Sequence, residues 1–254
     1  MKRPCRRPRI LVVNDDGLPG AGLLPLIAVL SGLGEVVAVV PEGERSAVSH
    51  CLTLRHPLRM REVRAGLYAV DGTPADCARL GLLEVLKGRA DLVVSGINDG
   101  YNLGSDVVYS GTVAGALEGV LLGAPALSVS RGRSRRSRDF IPAAEAAGKV
   151  AARILARGLP PGVCLNVNVP ALPKARLKGF RTARLGRRLY SKKVEVRRDP
   201  NGKRYFWLSG PYVSSVLEPG TDVRAVADGF VSVTPLNIDH TYLPMMDELR
   251  TWSF

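Results

Sequence analysis

Glutamine is absent from this sequence of 254 residues, and aromatic residues make up only 6% of it. Asparagine is also scarce, and arginine is much more frequent than lysine. A shortage of thermolabile amides is typical of thermophilic proteins, so the composition points to a thermophilic source. Histidine occurs only at positions 50, 56 and 240, and we interpret all three residues as surface or packing residues rather than catalysts.

Long apolar runs are also missing. No segment reaches the roughly 20 apolar residues that span a bilayer. The basic amino terminus is followed by only Ile10–Val13 before two carboxylates interrupt the apolar stretch, which is too short for a signal peptide. We therefore expect a cytoplasmic protein with no membrane partner.

Cysteine pairs with metal-binding spacing are absent, which argues against a zinc site. We expect buried thiols, although disulfides also occur inside hyperthermophilic cells. The four widely spaced cysteines are Cys5, Cys51, Cys77 and Cys164.

Acidic residues are much fewer than basic ones, 23 against 36, so the formal net charge is +13. The arginines are concentrated at residues 131–138 and 184–204. Aromatic residues that could stack on bases are lacking there, apart from Tyr190. We interpret both clusters as solvated loops that attract anionic substrates, and nucleic-acid binding is the less favoured alternative.

What is present is a regular alternation of short β-branched runs and amphipathic segments over the first two-thirds of the chain. This alternation predicts an α/β protein with a mostly parallel sheet covered on both faces. The predicted strands are Ile10–Asn14, Val36–Val40, Leu67–Val70, Leu92–Ser95, Ala126–Val129 and Leu165–Val169. The predicted helices are Leu23–Leu33, Ala75–Leu86, Val113–Leu122 and Ile141–Ala156.

The last third has a different pattern. Val194–Val196 and Tyr205–Leu208 flank Asn201-Gly202, which predicts a β-hairpin, and Phe230–Leu236 predicts a return to the sheet. The apolar tail needs burial, either on its own core or on a second copy of the chain. We expect one α/β domain with a core at about 9–174 and 225–238, a β-rich extension at about 175–224, and a carboxyl-terminal oligomerisation arm at 239–254.

Adjacent carboxylates, Asp15 and Asp16, follow the first predicted strand. Like charges at a strand end repel each other unless a cation neutralises them, and oxygen ligands suit Mg²⁺, Mn²⁺ or Ca²⁺. One aspartate could instead cap the next helix. The dipeptide alone leaves both interpretations open.

Three later loops carry further polar side chains. Ser46 follows the second strand, and a glycine-rich loop at 95–104 follows the fourth strand without forming a GxGxxG motif. Ser110-Gly111-Thr112 precedes a predicted helix, so it either caps that helix or forms a phosphate cradle. Thr73-Pro-Ala-Asp76 predicts a helix start with a capping box.

Taken in order, these motifs resemble the survival protein E (SurE) family of nucleotidases. The residues that carry the resemblance are Ile10–Gly17, Gly72–Cys77, Ser95–Asn98, Tyr109–Val113, Leu165–Pro170 and Val233–Leu236. The resemblance implies a doubly wound, Rossmann-like core, a homodimer or tetramer assembled through the arm and the hairpin, and metal-dependent removal of phosphate from nucleoside 5′- and 3′-monophosphates.

The resemblance also implies residue roles. One divalent ion per subunit, Mg²⁺ or Mn²⁺, would be held by Asp15, Asp16, Ser46 and Asn98, with the two aspartates catalytic. Phosphate would contact Ser110, Gly111 and Thr112, with Asn102 nearby. The general base is left open. Two rival functions stay open as well: a phosphatase that forms an aspartyl-phosphate, although that class shows Asp-x-Asp, and a basic nucleic-acid-binding protein.

Overall fold

The computed structural model describes residues 6–134, 138–191, 193–208 and 212–253. Its strands are β1 (Arg9–Val13), β2 (Glu35–Pro41), β3 (Met60–Arg64), β4 (Leu67–Val70), β5 (Leu92–Asp99), β6 (Ala126–Arg131), β7 (Val163–Val169), β8 (Phe180–Thr182), β9 (Arg187–Tyr190), β10 (Glu195–Arg198), β11 (Arg204–Trp207), β12 (Tyr212–Val216) and β13 (Val231–Asn237). Its α-helices are α1 (Leu23–Leu30), α2 (Pro74–Leu80), α3 (Gly111–Leu121), α4 (Ile141–Arg157), α5 (Asp222–Ala227) and α6 (Met246–Leu249).

A nine-stranded sheet organises the molecule, in the order β3-β4-β2-β1-β5-β6-β7-β13-β8. The six strands from β4 to β7 in this order are parallel, whereas β3 and β13 run antiparallel to their neighbours β4 and β7. The chain builds outward from β1 through β2 to β4 and then returns to β5 on the other side of β1. The predicted doubly wound α/β fold is therefore confirmed, and its strand order reverses between β1 and β5.

Both faces of the sheet are covered, which explains why the central strands are apolar throughout. In β1, Ile10 and Val12 pack into a cluster that includes residues of α1 and α4. Leu11 and Val13 point to the other face and pack with residues of α2. Each strand residue alternates between the two clusters, and all four are fully buried.

Helix α2 begins as the sequence predicts. Thr73 accepts a hydrogen bond from the backbone of Asp76, the Asp76 carboxylate accepts one from the backbone of Thr73, and Pro74 occupies the first turn. The capping box is therefore confirmed. The helix continues as a π-helical turn at Gly81–Val85, within the predicted range.

The last third contains the predicted hairpin and several elements that the pattern does not reveal. Strands β10 and β11 pair antiparallel, and β13 returns to the sheet beside β7. Strand β8 joins the main sheet beside β13, and β9 pairs with β12. The elements missed there are β8, β9, β12, α5 and α6, and β3 is missed in the first third. All of these elements are short, and β3 is almost wholly exposed, so none of them shows a long hydrophobic periodicity.

The thiols follow the prediction in part. Cys77 and Cys164 are buried free thiols, whereas the thiol-bearing residue Cys51 is exposed, contrary to the expectation of burial. Cys5 lies outside the described residues. In the parts of the chain that the structure describes, no helix has the length and apolarity to cross a membrane.

Candidate active site

Three carboxylates and one side-chain amide meet where the strand order reverses. Asp15 and Asp16 follow β1, and Asn98 and Asp99 end the neighbouring strand β5. The Asp16 carboxylate accepts a hydrogen bond of 3.1 Å from the backbone N–H of Asp99. Because the carboxyl ends of both parallel strands lie at one edge of the sheet, residues far apart in sequence form one site.

Burial makes the negative charges of this site costly. It raises the pKa of Asp15 to about 6, and the adjacent Asp16 adds to the rise, whereas a hydrogen bond from Thr112 opposes it. Burial also raises the pKa of Asp16, and the carboxylates of Asp99 and Glu44 act in the same direction. A bound cation would offset this cost, because it favours the charged form of both groups.

The donor set fits a hard divalent cation. The Asn98 amide nitrogen donates to the Gly100 carbonyl at 2.8 Å, so its amide oxygen is the atom left to ligate. Ser46 lies on the exposed loop after β2, where its hydroxyl donates to Glu44 at 2.5 Å. Among the described residues no three His, Cys, Asp or Glu side chains form a metal-binding group. A centre here would draw on the oxygens of Asn98 and Ser46 besides the two aspartates.

The loop that carries Ser46 is anchored to the site on both sides. The backbone N–H of Arg45 donates to the Asp15 carbonyl at 2.7 Å. Further along the loop, His50 Nε2 lies 2.8 Å from a carboxylate oxygen of Glu118, a fully buried residue of α3. His50 is thus a packing residue that ties the loop to α3, in agreement with its predicted role.

The turn before α3 lies against Asp15. Ser110 caps the helix by accepting a hydrogen bond of 3.0 Å from the backbone of Val113. Thr112 is fully buried, and its hydroxyl donates to Asp15 Oδ1 at 2.6 Å. Gly111 permits this approach, because a Cβ there would lie 3.0 Å from the Cβ of Asp15. The two hydroxyls of the turn therefore differ: one serves the helix and the other serves the aspartate.

A cleft of about 910 Å³ opens above these residues. The predicted site residues that line it are Asp15, Ser46, Asn98, Asn102 and Ser110. Gly111 and Thr112 lie in the buried turn beneath it, and Asp16 lies beside Asp99. The eight predicted residues are therefore brought to one place in the fold.

Sequence reasoning missed several residues of this cleft. Arg133 lines it and donates to the Asp99 carbonyl at 2.5 Å, and its charge opposes the rise in the pKa of Asp16. Asp106, Arg188 and Tyr190 line the far end, where Arg188 and Tyr190 both bind the Asp106 carboxylate. No local motif marks these residues, because they come from separate elements.

The predicted solvated cluster at 131–138 is wrong for its first member. Arg131 ends β6 and is only 3% exposed. Its guanidinium lies 3.5 Å from Asp99 Oδ1 and 4.9 Å from the centre of the Phe140 ring. An ion pair and an aromatic face compensate its burial. Arg135 and Arg136 lie outside the described residues.

The fold and the site together define a doubly wound α/β protein with a cluster of side-chain oxygen atoms at its switch point. A family model described as "Survival protein SurE" matches residues 10–192. The 5′-nucleotidase SurE of Geobacter metallireducens is 45% identical over 97% of this chain and 98% of its own length. The 5′-nucleotidase SurE of Syntrophotalea carbinolica is 47% identical over 96% and 97%.

A solved structure shows the same architecture. The SurE protein from Aquifex aeolicus is 41% identical, covers 96% of this chain and 98% of its own, and superposes with a TM-score of 0.85. The chain therefore belongs to the survival protein SurE family, as its motifs indicated.

Proposed function

We propose that this protein is a metal-dependent phosphomonoester hydrolase that releases phosphate from nucleoside 5′- and 3′-monophosphates. The observation that carries the proposal is the 2.6 Å hydrogen bond between Thr112 and Asp15. It joins the turn suited to a phosphate to the carboxylates suited to a cation, on the floor of one cleft. Relatives named 5′-nucleotidase along nearly the whole chain support the same activity.

In this proposal Asp15, Asp16, Asn98 and Ser46 hold one divalent ion, Mg²⁺ or Mn²⁺. When bound, the ion supplies Lewis-acid stabilisation of the phosphate charge. The positive end of the α3 dipole favours a phosphate at the turn that begins the helix. Arg133 adds positive charge at the rim of the cleft. Asp15 or Asp16 serves as the acceptor of a proton from the attacking water.

The pairing of surface charges supports an enzyme over a nucleic-acid-binding protein. Within the second arginine cluster, Arg184, Arg188 and Arg197 form ion pairs with Glu218, Asp106 and Glu195. Charges already paired within the chain attract a phosphate backbone less strongly.

We also propose assembly as a homodimer or tetramer. The arm at 239–254 carries exposed Tyr242, Leu243 and Trp252, and the hairpin carries exposed Phe206 and Trp207. Apolar groups in this number favour burial against a second subunit. The cytoplasmic location and the thermophilic source stay predictions.

Phosphate release from 5′-AMP, 3′-AMP and other nucleoside monophosphates by the purified protein tests the activity. We expect turnover with Mg²⁺ or Mn²⁺, loss with a chelator and recovery when the metal is restored. Chelator-resistant turnover would contradict the metal centre. A trapped beryllofluoride adduct would favour the aspartyl-phosphate route, and tight nucleic-acid binding without any turnover would favour the other rival.

A further inference from the structure

Strand β7 carries two asparagines in a place where apolar residues are expected. It lies between β6 and β13, and its sequence Leu165-Asn-Val-Asn-Val169 alternates so that Asn166 and Asn168 share one face. Both are fully buried. Buried strands of a parallel sheet are normally apolar on both faces, and buried amides need hydrogen-bond partners. The two buried asparagines therefore need specific hydrogen-bond partners within the fold.

Their shared partner is the backbone of Asn102. Asn168 accepts a hydrogen bond of 2.9 Å from the Asn102 N–H and donates one of 3.0 Å to its carbonyl. Asn166 donates to the same carbonyl at 2.8 Å and accepts from the Ser128 hydroxyl at 2.9 Å. Asn102 lies in the loop between β5 and α3, outside any strand. The two amides thus replace the strand partner that this buried loop backbone lacks.

The side chain of Asn102 then has a fixed place on the floor of the cleft. Its amide nitrogen donates to Ser130 at 2.7 Å and lies 3.4 Å from the hydroxyl of Thr112, which itself binds Asp15. An amide carries a donor and an acceptor at equivalent positions. If the Asn102 amide rotates by about 180°, so that its oxygen and nitrogen exchange places, Ser130 can donate to the oxygen while the nitrogen faces an incoming phosphate oxygen.

We propose that Asn166 and Asn168 are positioning residues for phosphate binding, which act by clamping Asn102 beside Thr112 and Asp15. This inference rests on the proposed phosphatase function. It also gives a use to the Leu165–Pro170 motif, which the residues of the metal centre and the phosphate turn do not explain. Displacement of a substrate-binding group by about 1 Å can lower a rate by about 100-fold.

Asn168→Leu tests the clamp, because leucine keeps the branched shape of asparagine, with a somewhat larger volume, and removes both bonds to Asn102. We expect kcat/KM for a nucleoside 5′-monophosphate to fall about tenfold or more, and inorganic phosphate to inhibit more weakly. In an Asn102→Ala background the same change should have little further effect on activity, because the group that it positions is gone.

Ser232→Ala is the matched control. Ser232 pairs with Asn168 across the sheet, is fully buried, and has a hydroxyl with no hydrogen-bond partner among the described residues. The Ser232→Ala substitution should leave kcat/KM unchanged and alter at most the melting temperature. If Asn168→Leu behaves like this control, or lowers activity equally with and without Asn102, the inference is wrong.

Asn168→Asp provides a second test that does not depend on the leucine variant folding. A protonated carboxyl can still donate to the Asn102 carbonyl, whereas a charged one repels it, and burial favours the protonated form. Activity relative to wild type should therefore be near normal at low pH and decline as the pH rises. An unchanged pH profile would overturn the inference. An inactive wild-type protein would instead refute the proposed function.

Discussion

Apolar residues are buried in the parallel core but exposed in the β10–β11 hairpin. Val12 and Val94 in the core are completely buried, whereas Val196 and Trp207 in the hairpin are about half exposed, at 48% and 53%. Core strands have a strand on each side and helices on both faces, whereas the hairpin pairs only with itself. Apolar composition therefore does not decide burial; the presence of a covering element does.

The comparison extends to function. The core also contains the fully buried polar groups Thr112, Asn166 and Asn168, each of which is satisfied within the chain. The hairpin and the tail instead leave apolar side chains exposed to solvent. A single chain thus brings the candidate active-site residues together, whereas its described hairpin and tail expose apolar side chains.

The largest expected effect comes from breaking the core at its acidic edge. Asp16→Asn should lower kcat/KM by about 10³-fold or more, since a metal centre supplies several kcal/mol of transition-state stabilisation. The circular dichroism spectrum should stay that of the wild type. Asp247→Asn is a control, because Asp247 lies on the tail and its side chain is 88% exposed. Wild-type turnover in Asp16→Asn would refute the site assignment.

The next effect concerns stability without metal. The native protein keeps the Asp15 proton up to a pKa of about 6, whereas the unfolded chain loses it near 3.8. Stability should therefore fall as the pH rises from about 4 to about 6 and stay lower above that, by at most about 3 kcal/mol. Asp15→Asn should remove this loss.

Urea unfolding of chelator-treated protein between pH 4 and pH 8 measures the difference. Asp15→Asn should be more stable than wild type at pH 8 and nearly equal to it at pH 4. If Asp15→Asn is less stable than wild type at pH 8, the charged Asp15 carboxylate stabilises the fold, and the predicted destabilisation is wrong.

A smaller effect should come from the phosphate turn. Thr112→Val keeps the shape and removes the hydroxyl that binds Asp15, and it should lower kcat/KM more than tenfold, or about 1.4 kcal/mol. Thr112→Ser retains the hydroxyl and should restore most of the activity. If Thr112→Val alters only the melting temperature, the hydroxyl has a structural role.

The smallest expected effect on the core itself comes from removing the arm. Truncation before Tyr242 should leave the secondary structure of the core unchanged but convert the assembly to monomers or aggregates, as measured by light scattering. Trp207→Ser on the hairpin provides the comparison, since it alters the other exposed apolar surface. A truncated protein that remains a dimer would show that the arm does not hold the subunits together.

Local signals predicted the elements of the core closely. The run Leu67–Val70 forms β4 with the predicted bounds, and Leu92–Ser95 lies within the longer β5. The capping box at Thr73–Asp76 was equally predictable, because all of its atoms lie within four residues. Arg131 was misjudged because its burial depends on Asp99, which is distant in sequence, and on Phe140, which lies beyond the arginine cluster.

The sequence by itself determined the α/β class, the order of the core elements and the polar loops that follow β1, β2 and β5, since these depend on periodicity and on neighbouring residues. Only the tertiary structure decided which hydroxyl of the Ser110–Thr112 turn reaches Asp15, and that Asn166 and Asn168 hold the backbone of Asn102. Such contacts join residues about 60 to 100 positions apart. Their geometry is set by the register of parallel strands and by the packing of α3 on the sheet, and no local pattern encodes either.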